Sequence, residues 1–330
     1  MENKQATKKL AYKNILVKYW LAFFMVAIFI LFTAIQPSFA GISNIITILN
    51  TGCIYGIVSM GLNIVMCTGE IDFAVGAELT LSAVAVAKLC STFTFGNAYV
   101  AAVILSLIVA IVFGVVNVFL NVHVGIPAFI ATMGTSLVAT GICKYLTNSG
   151  SIYSSTWPKE FIWLGQGYLF NTIPISTVCL IIIVIIMWVY TEKTKGGKLL
   201  YYVGSNSKAC EYIGVNIKKV KYKAFIICAL LCGFAGILQA SELNSANPYL
   251  GDNSMLNGLT AIMVGATFFH IGIYNIPGTV LASILVCMIE NGMVMLGAPN
   301  FAKYLVKSAI LLAAVTIVTV IKKRQMKSIG

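Results

Sequence analysis

Apolar runs separated by short polar stretches fill almost the whole chain, at residues 19–36, 45–67, 74–90, 98–120, 128–146, 171–190, 224–241, 257–274, 278–296 and 304–321. A helix needs about 20 apolar residues to cross the hydrocarbon of a bilayer. The pattern therefore predicts an all-α polytopic membrane protein with about ten transmembrane helices. Several runs fall short of that length, so one or two elements are expected to be broken or tilted. An Ile-Pro pair opens the fifth and the ninth run (Ile126-Pro127 and Ile276-Pro277). The pair fits the preference of Pro for helix starts as well as it fits a trace of an internal repeat.

The polar positions between the runs indicate orientation. Residues 1–18 carry five Lys, the 192–223 loop carries eight (Lys193, Lys195, Lys198, Lys208, Lys218, Lys219, Lys221 and Lys223), and the tail 322–330 carries four Lys or Arg. Basic segments stay on the cytoplasmic side. Six runs separate the first two segments and four separate the last two, so the parity puts all three, and both termini, in the cytoplasm. The chain then divides into a basic N-terminal segment 1–18, a transmembrane domain 19–321 and a basic tail 322–330. Residues 19–36 follow a long basic lead, and Gln36-Pro37-Ser38-Phe39-Ala40 lacks a clear small-x-small cleavage site, so the first run is read as a retained span.

Composition narrows the class further. Of 330 residues 59% are hydrophobic and 10% charged, against about a quarter charged in soluble domains. The net charge of +12 sits in segments flanking apolar runs, so it reads as topology and no nucleic-acid partner is expected. The nine Cys are odd in number and lie mostly inside apolar runs, as small packing residues and not as a disulfide framework. Cys228 and Cys232 are spaced to share a metal, but no His or acid lies at ligand spacing beside them in the sequence, and no metal site is expected. His123 and His270 are far apart, and neither HExxH nor GxSxG occurs, so no catalytic residue is assigned. Leu250-Gly251-Asp252 matches half of an intramembrane aspartyl-protease motif, with Tyr249 in place of its first Gly and no partner Tyr-Asp pair. Asp252 is read as a solvated loop carboxylate. There is no Gly-Lys-Ser/Thr phosphate loop, so ATP would have to be used by another subunit.

Charge and amide groups near the apolar runs are the sharper signal, because an ionised group at mid-bilayer costs about 2.5–3.5 kcal/mol on insertion scales and persists where it faces protein or water. Glu70, Asp72 and Glu78 fall at the junction of the second and third runs, where Gly69 can break the helix. The junction reads as a re-entrant or discontinuous element, with a short loop of solvated acids as the alternative. Asn63 lies in the second run, Glu242 and Asn244 at the end of the seventh, and Glu290 and Asn291 in the ninth. These eight residues are candidates for lining a path for a hydroxyl-rich solute, and each could equally join helices to one another. Gly52, Gly56 and Gly61 suit close helix approach. In the 192–223 loop, Asn206 through Gly214 reads as a short helix capped by Asn and ended by Gly. Such a helix is a handle for a soluble partner, or simply part of a solvated basic loop.

Several segments, in order, resemble the permease family of bacterial ABC importers for ribose, xylose, galactose and related solutes. They are Met60-Gly61 through Thr68-Gly69-Glu70-Ile71-Asp72-Phe73-Ala74-Val75-Gly76, Ile126-Pro127 through Gly134-Thr135, Gly204-Ser205-Asn206 through Gly214-Val215-Asn216-Ile217, and Gly265-Ala266-Thr267, Pro277-Gly278-Thr279, Glu290-Asn291-Gly292 and Leu296-Gly297. The resemblance covers about residues 44 to 312. It implies a multi-pass protein of the bacterial cell membrane that forms the translocation path for a small hydroxylated solute, most simply a monosaccharide, and performs no covalent chemistry. It also implies partners: a second permease subunit, an ABC ATPase that binds ATP-Mg, and an extracytoplasmic solute-binding protein. No cofactor is expected on this chain itself. The ATPase would dock on a cytoplasmic coupling helix carrying Asn206, Lys208, Ala209, Glu211, Gly214 and Asn216.

The chain also departs from the family pattern. Glu70 replaces a Gly, Phe73-Ala74 replaces Leu-Ser, Glu78 adds an acid, and Lys208 and Glu211 reverse the usual order of charges. A nucleoside, an autoinducer-like furanose or an amino acid remains open as cargo. So does an ion-coupled secondary transporter using Asp72, Glu242 or Glu290.

Overall fold

The structure is a computed structural model that describes residues 20–92, 98–153, 157–269 and 272–327, and side chains as far as residue 320. The basic segment 1–18, His270 and residues 328–330 of the tail lie outside the described residues. Thirteen helices hold most of the described residues: α1 (Trp20–Ile35), α2 (Ile42–Met66), α3 (Val75–Thr92), α4 (Ala98–Phe119), α5 (Ala128–Thr147), α6 (Lys159–Gln166), α7 (Ile175–Lys193), α8 (Lys195–Ser205), α9 (Ser207–Tyr212), α10 (Ile217–Leu243), α11 (Ser254–Gly265), α12 (Ile276–Met295) and α13 (Asn300–Lys327). A π-helical turn, Leu120–Val124, extends α4. Eight of these helices (α2, α3, α4, α5, α7, α10, α12 and α13) are long and apolar enough to cross a membrane, and α1 and α11 are shorter apolar helices. Each of the ten apolar runs thus coincides with one apolar helix.

Boundaries differ in two places. The eighth run does not form one helix over 257–274, because α11 stops at Gly265 after 12 residues. The Asn275 side chain fixes the turn that follows. Its Nδ2 reaches the carbonyls of Gly265, Phe268 and Ile273 at 3.2, 3.1 and 3.2 Å, while its Oδ1 accepts from Gly278 N at 2.8 Å and caps α12. The 192–223 stretch, in turn, is not a loop with one short helix. It contains α8 as well as α9, and α10 begins early enough that Lys218, Lys219, Lys221 and Lys223 belong to its first two turns.

The chain divides into two compact units, Cys53–Leu259 and Met1–Gly52 with Thr260–Gly330. In the first unit α3 and α10 are the most enclosed helices. The most apolar window of α10 is 72% buried, whereas those of α4, α5 and α7 are each 28% buried. Ile181, Ile182, Ile185 and Ile186 leave α7 more than half exposed on one face, which suits contact with lipid chains. Leu81, Val84, Phe161, Ile237 and Ala240 form part of the core between α3, α6 and α10. Ser241 pins α6 to the end of α10, accepting from Gly165 N at 2.7 Å and donating to Phe161 O at 2.6 Å. Two short antiparallel pairs lie nearby: β1 (Ile152–Tyr153) with β4 (Ser245–Ala246), and β2 (Tyr168–Leu169) with β3 (Ile173–Pro174).

In the second unit, Leu21, Phe32, Phe39, Phe268, Leu285 and Met288 form part of the core around α1 and α12. Trp20 Nε1 donates to Thr267 O at 3.1 Å.

Candidate functional site

The helical path breaks between α2 and α3. After Met66 the chain turns at Gly69, whose φ of 84° is left-handed, and runs non-helically to Val75. Glu70 forms an ion pair with Lys221 in the first turns of α10, and Lys221 Nζ also donates to Asn121 Oδ1 at 3.2 Å. A few residues later, Glu78 in the first turn of α3 lies beside Cys228 and Cys232, near the middle of α10. At about 1.5 Å per residue, α10 spans roughly 40 Å, so the 67–74 segment climbs from one end of that helix towards its centre. Non-helical backbone at membrane depth persists where protein covers it. Asp72 and Ala74 are fully buried, and Asp72 Oδ1 accepts from Ala74 N at 2.8 Å. Phe73 N donates to Thr132 Oγ1 of α5 at 2.9 Å. The junction is therefore discontinuous, as expected, and Asp72 is not a solvated loop acid.

A second non-helical segment meets the first. Residues 247–253 lead from β4 to α11, and Gly251 N donates to Thr80 Oγ1 at 2.9 Å. Gly76 and Gly251 face each other so closely that a Cβ on Gly76 would lie 2.3 Å from Gly251 O, and one on Gly251 would lie 2.0 Å from Gly76 O. Only glycine fits at either position. This contact accounts for the Gly251 of the protease half-motif without any protease chemistry. Asp252 is exposed; partial desolvation raises its carboxyl above the ordinary range while Lys144 opposes the shift. The starts of α3 and α11 thus come together, with the buried polar residues Thr80, Ser254 and Asn257 around them. Neither Asn257 Oδ1 nor Nδ2 has a hydrogen-bond partner among the described residues. Reading the sequence missed Asn257, although an amide at the edge of an apolar run was a visible signal.

Glu78 is fully buried within a polar network of three helices. Asn117 Nδ2 of α4 donates to Glu78 Oε1 at 3.1 Å, and Thr135 of α5 donates to Asn117 Oδ1. Neither Asn117 nor Thr135 was a candidate from sequence, because their relevance comes only from packing.

The other candidates scatter. Asn63 is buried in α2 and accepts from Cys67 Sγ at 3.4 Å. Glu242 offers its carbonyl to Gln166 Nε2 at 2.9 Å, at the α6 seat. Asn244 ends α10 with a left-handed φ of 48°, a conformation Asn tolerates at a helix end. In the second unit, Glu290 of α12 pairs with Lys307 of α13 at 2.9 Å, and Asn291 lies beside it in sequence. Lys307 is buried. It was overlooked although it stands inside an apolar run.

The α8–α9 region is organised at each boundary. Thr194 Oγ1 caps α8 by accepting from Gly197 N at 3.0 Å. Asn206 Oδ1 caps α9 by accepting from Ala209 N at 3.0 Å, and Asn216 Oδ1 caps α10 by accepting from Lys219 N at 3.0 Å. Gly214, at φ 81°, ends α9. Asn206, Ala209, Gly214 and Asn216 therefore shape the turn. Lys208 and Glu211 are exposed, as are Tyr212 at 90% and Ile213 at 79%, so α9 presents a mixed charged and apolar surface. The end of α8 packs against the α2–α3 break so closely that a Cβ on Gly204 would clash with Cys67 O.

Eight helices long and apolar enough to cross a membrane, with a buried polar break in close contact with the capped α8, define a polytopic membrane protein. The chain belongs to the family described as branched-chain amino acid transport system / permease component, which it matches over residues 44–315. It is 31% identical to the ribose import permease protein RbsC of Bacillus subtilis (strain 168) over 87% of this chain and 88% of that one. It is 28% identical to the ribose import permease protein RbsC of Escherichia coli (strain K12), over 86% and 88% of the two chains. It is 26% identical to the D-allose transport system permease protein AlsC of Escherichia coli (strain K12), over 93% of each. No solved structure matches the chain. Family membership makes the chain a transport subunit of an ABC system in the cell membrane and not an enzyme, with ATP hydrolysis in a separate subunit.

Proposed function

We propose that this chain is the membrane-spanning permease subunit of an ABC importer for a monosaccharide of the ribose or allose kind. The observation that carries the reading is the contact between α8 and the α2–α3 break at Gly204 and Cys67, which links an exposed capped helix to the buried polar start of α3. Two such subunits pair in the membrane, with both termini and the α8–α9 region in the cytoplasm. An ATPase that binds ATP-Mg seats on Lys208, Glu211, Tyr212 and Ile213, and an extracytoplasmic solute-binding protein delivers the sugar. ATPase closure moves α9 and α8, the push reaches residues 67–74 through Gly204, and the start of α3 shifts.

Asp72 and Asn63 line the sugar path in this reading, together with Asn257. Glu70, Glu242, Asn244 and Glu290 act mainly in packing and ion pairing, Asn291 sits beside that pairing, and Glu78 holds the α3–α4–α5 network. Amides and carboxylates suit a hydroxylated solute because an amide donates and accepts hydrogen bonds and a carboxylate accepts them from hydroxyls.

Co-purification from native membranes tests the assembly. The chain should bring down an ABC ATPase, and replacing residues 206–216 with a Gly-Ser segment of equal length should abolish the association while the permease stays in the membrane. Isolation of the chain without any ATPase, or an association indifferent to the replacement, would contradict the reading.

A further inference from the structure

Among the described residues Glu78 is the one fully buried acid inside a helix of the first unit, and no salt bridge compensates it. Its Oε1 is held by Asn117, while its Oε2 is buried and has no hydrogen-bond partner among the described residues. An isolated buried carboxylate is costly unless a positive charge or a proton compensates it. What lies beside it is sulfur. The Sγ atoms of Cys228 and Cys232, one turn apart on α10, are 4.0 Å from each other, and these two sulfurs and a Glu78 carboxylate oxygen all lie within 4.8 Å of one another. All three residues are fully buried.

The spacing suits a metal centre. Thiolates bind Zn2+ at about 2.3 Å, so two of them in tetrahedral geometry stand roughly 3.8 Å apart, close to the separation here. Gly61 of α2 packs closely against Cys228, where a side chain would lie 3.1 Å from Cys228 O and 3.3 Å from its Sγ. Gly69 and Ile71 are exposed, so opening of the 67–74 segment gives an ion a way in.

We propose that Glu78, Cys228 and Cys232 form a binding site for a thiophilic divalent cation of the zinc class, which ties α3 to α10. Two thiolates and one carboxylate leave a fourth position for water. On binding, each thiol gives its proton to solvent and its sulfur donates an electron pair to the cation, with no change of oxidation state. Because α3 hangs on the segment that Gly204 touches, a bound cation restrains the helix that the coupling region moves.

The test is a titration of the full-length chain, stripped with chelator in detergent micelles, with Co2+ and then Zn2+. The site predicts a thiolate-to-cobalt charge-transfer absorption that saturates at one Co2+ per chain and is bleached by Zn2+. It also predicts loss of the band in the double variant Cys228→Ser/Cys232→Ser. Absence of the band in the unmodified chain, or its survival in the double variant, would overturn the proposal. Glu78→Gln keeps both thiols and the acceptor for Asn117, so it decides the matter should the double variant fail to fold. Since supporting groups outside the ligand set alone change metal affinity by about 10–100-fold, replacing a ligand should weaken Co2+ binding at least about tenfold. Unchanged affinity in Glu78→Gln would rule the site out.

Discussion

Glu290 and Glu78 both sit inside apolar helices of this protein, and their surroundings differ. Glu290 of α12 faces Lys307 of α13 at 2.9 Å, whereas Glu78 of α3 faces an amide and two thiols. The first is compensated by a charge carried in the chain, so it reads as a fastening between two helices. The second has no such charge beside it among the described residues, so a proton or a cation has to compensate it. An acid in a membrane helix therefore marks function only when its partner is known, and the partner comes from packing and not from the acid itself.

That contrast breaks most readily at Lys307. Lys307→Met leaves the partly buried Glu290 without its ion and should cost up to about 3 kcal/mol, the lower end for a buried pair, read as a large fall in the melting temperature of the purified chain. The double variant Lys307→Met/Glu290→Gln should recover most of the loss. Recovery of nothing would mean that Lys307 acts through other contacts. A smaller effect is expected at the Glu78 network. Thr135→Val removes the donor to Asn117 Oδ1, strands a buried acceptor and should cost about 1–3 kcal/mol, measured the same way. If Thr135→Val proved as damaging as Lys307→Met, the two acids would not differ as described. The smallest effect belongs to the pair at the start of α10, where Lys221 keeps Asn121 as a second partner. Glu70→Gln, which breaks the pairing with Lys221, should cost about 0.2–1 kcal/mol, and the cost should shrink further in high salt.

Much of the fold was legible in the chain because crossing a bilayer imposes a length and a composition that single runs reveal. The break at Gly69 and the cap at Asn206 were legible too, since a left-handed glycine and an Asn cap act within a few residues. The early stop of α11 was not, because Asn275 holds three carbonyls that only the folded turn gathers. Nor were the partners of the acids. Glu78 finds Asn117 from another helix, Glu70 finds Lys221 across most of the first unit, and Cys228 and Cys232 gain their acid from α3. Local pattern carries no record of such meetings. The eight pathway candidates were chosen by residue type alone, and packing then separated Asp72, in the buried break, from Asn244, which closes a helix.

Uptake into proteoliposomes tests the central claim most directly. The permease, reconstituted with its ATPase and supplied with loaded binding protein, should accumulate the sugar only when ATP is provided, and exchanging the charges at Lys208 and Glu211 should lower both uptake and the ATP hydrolysis coupled to it. Uptake by this chain alone, driven by a proton or sodium gradient without ATP, would contradict the account and make the buried acids the ion sites of a secondary transporter.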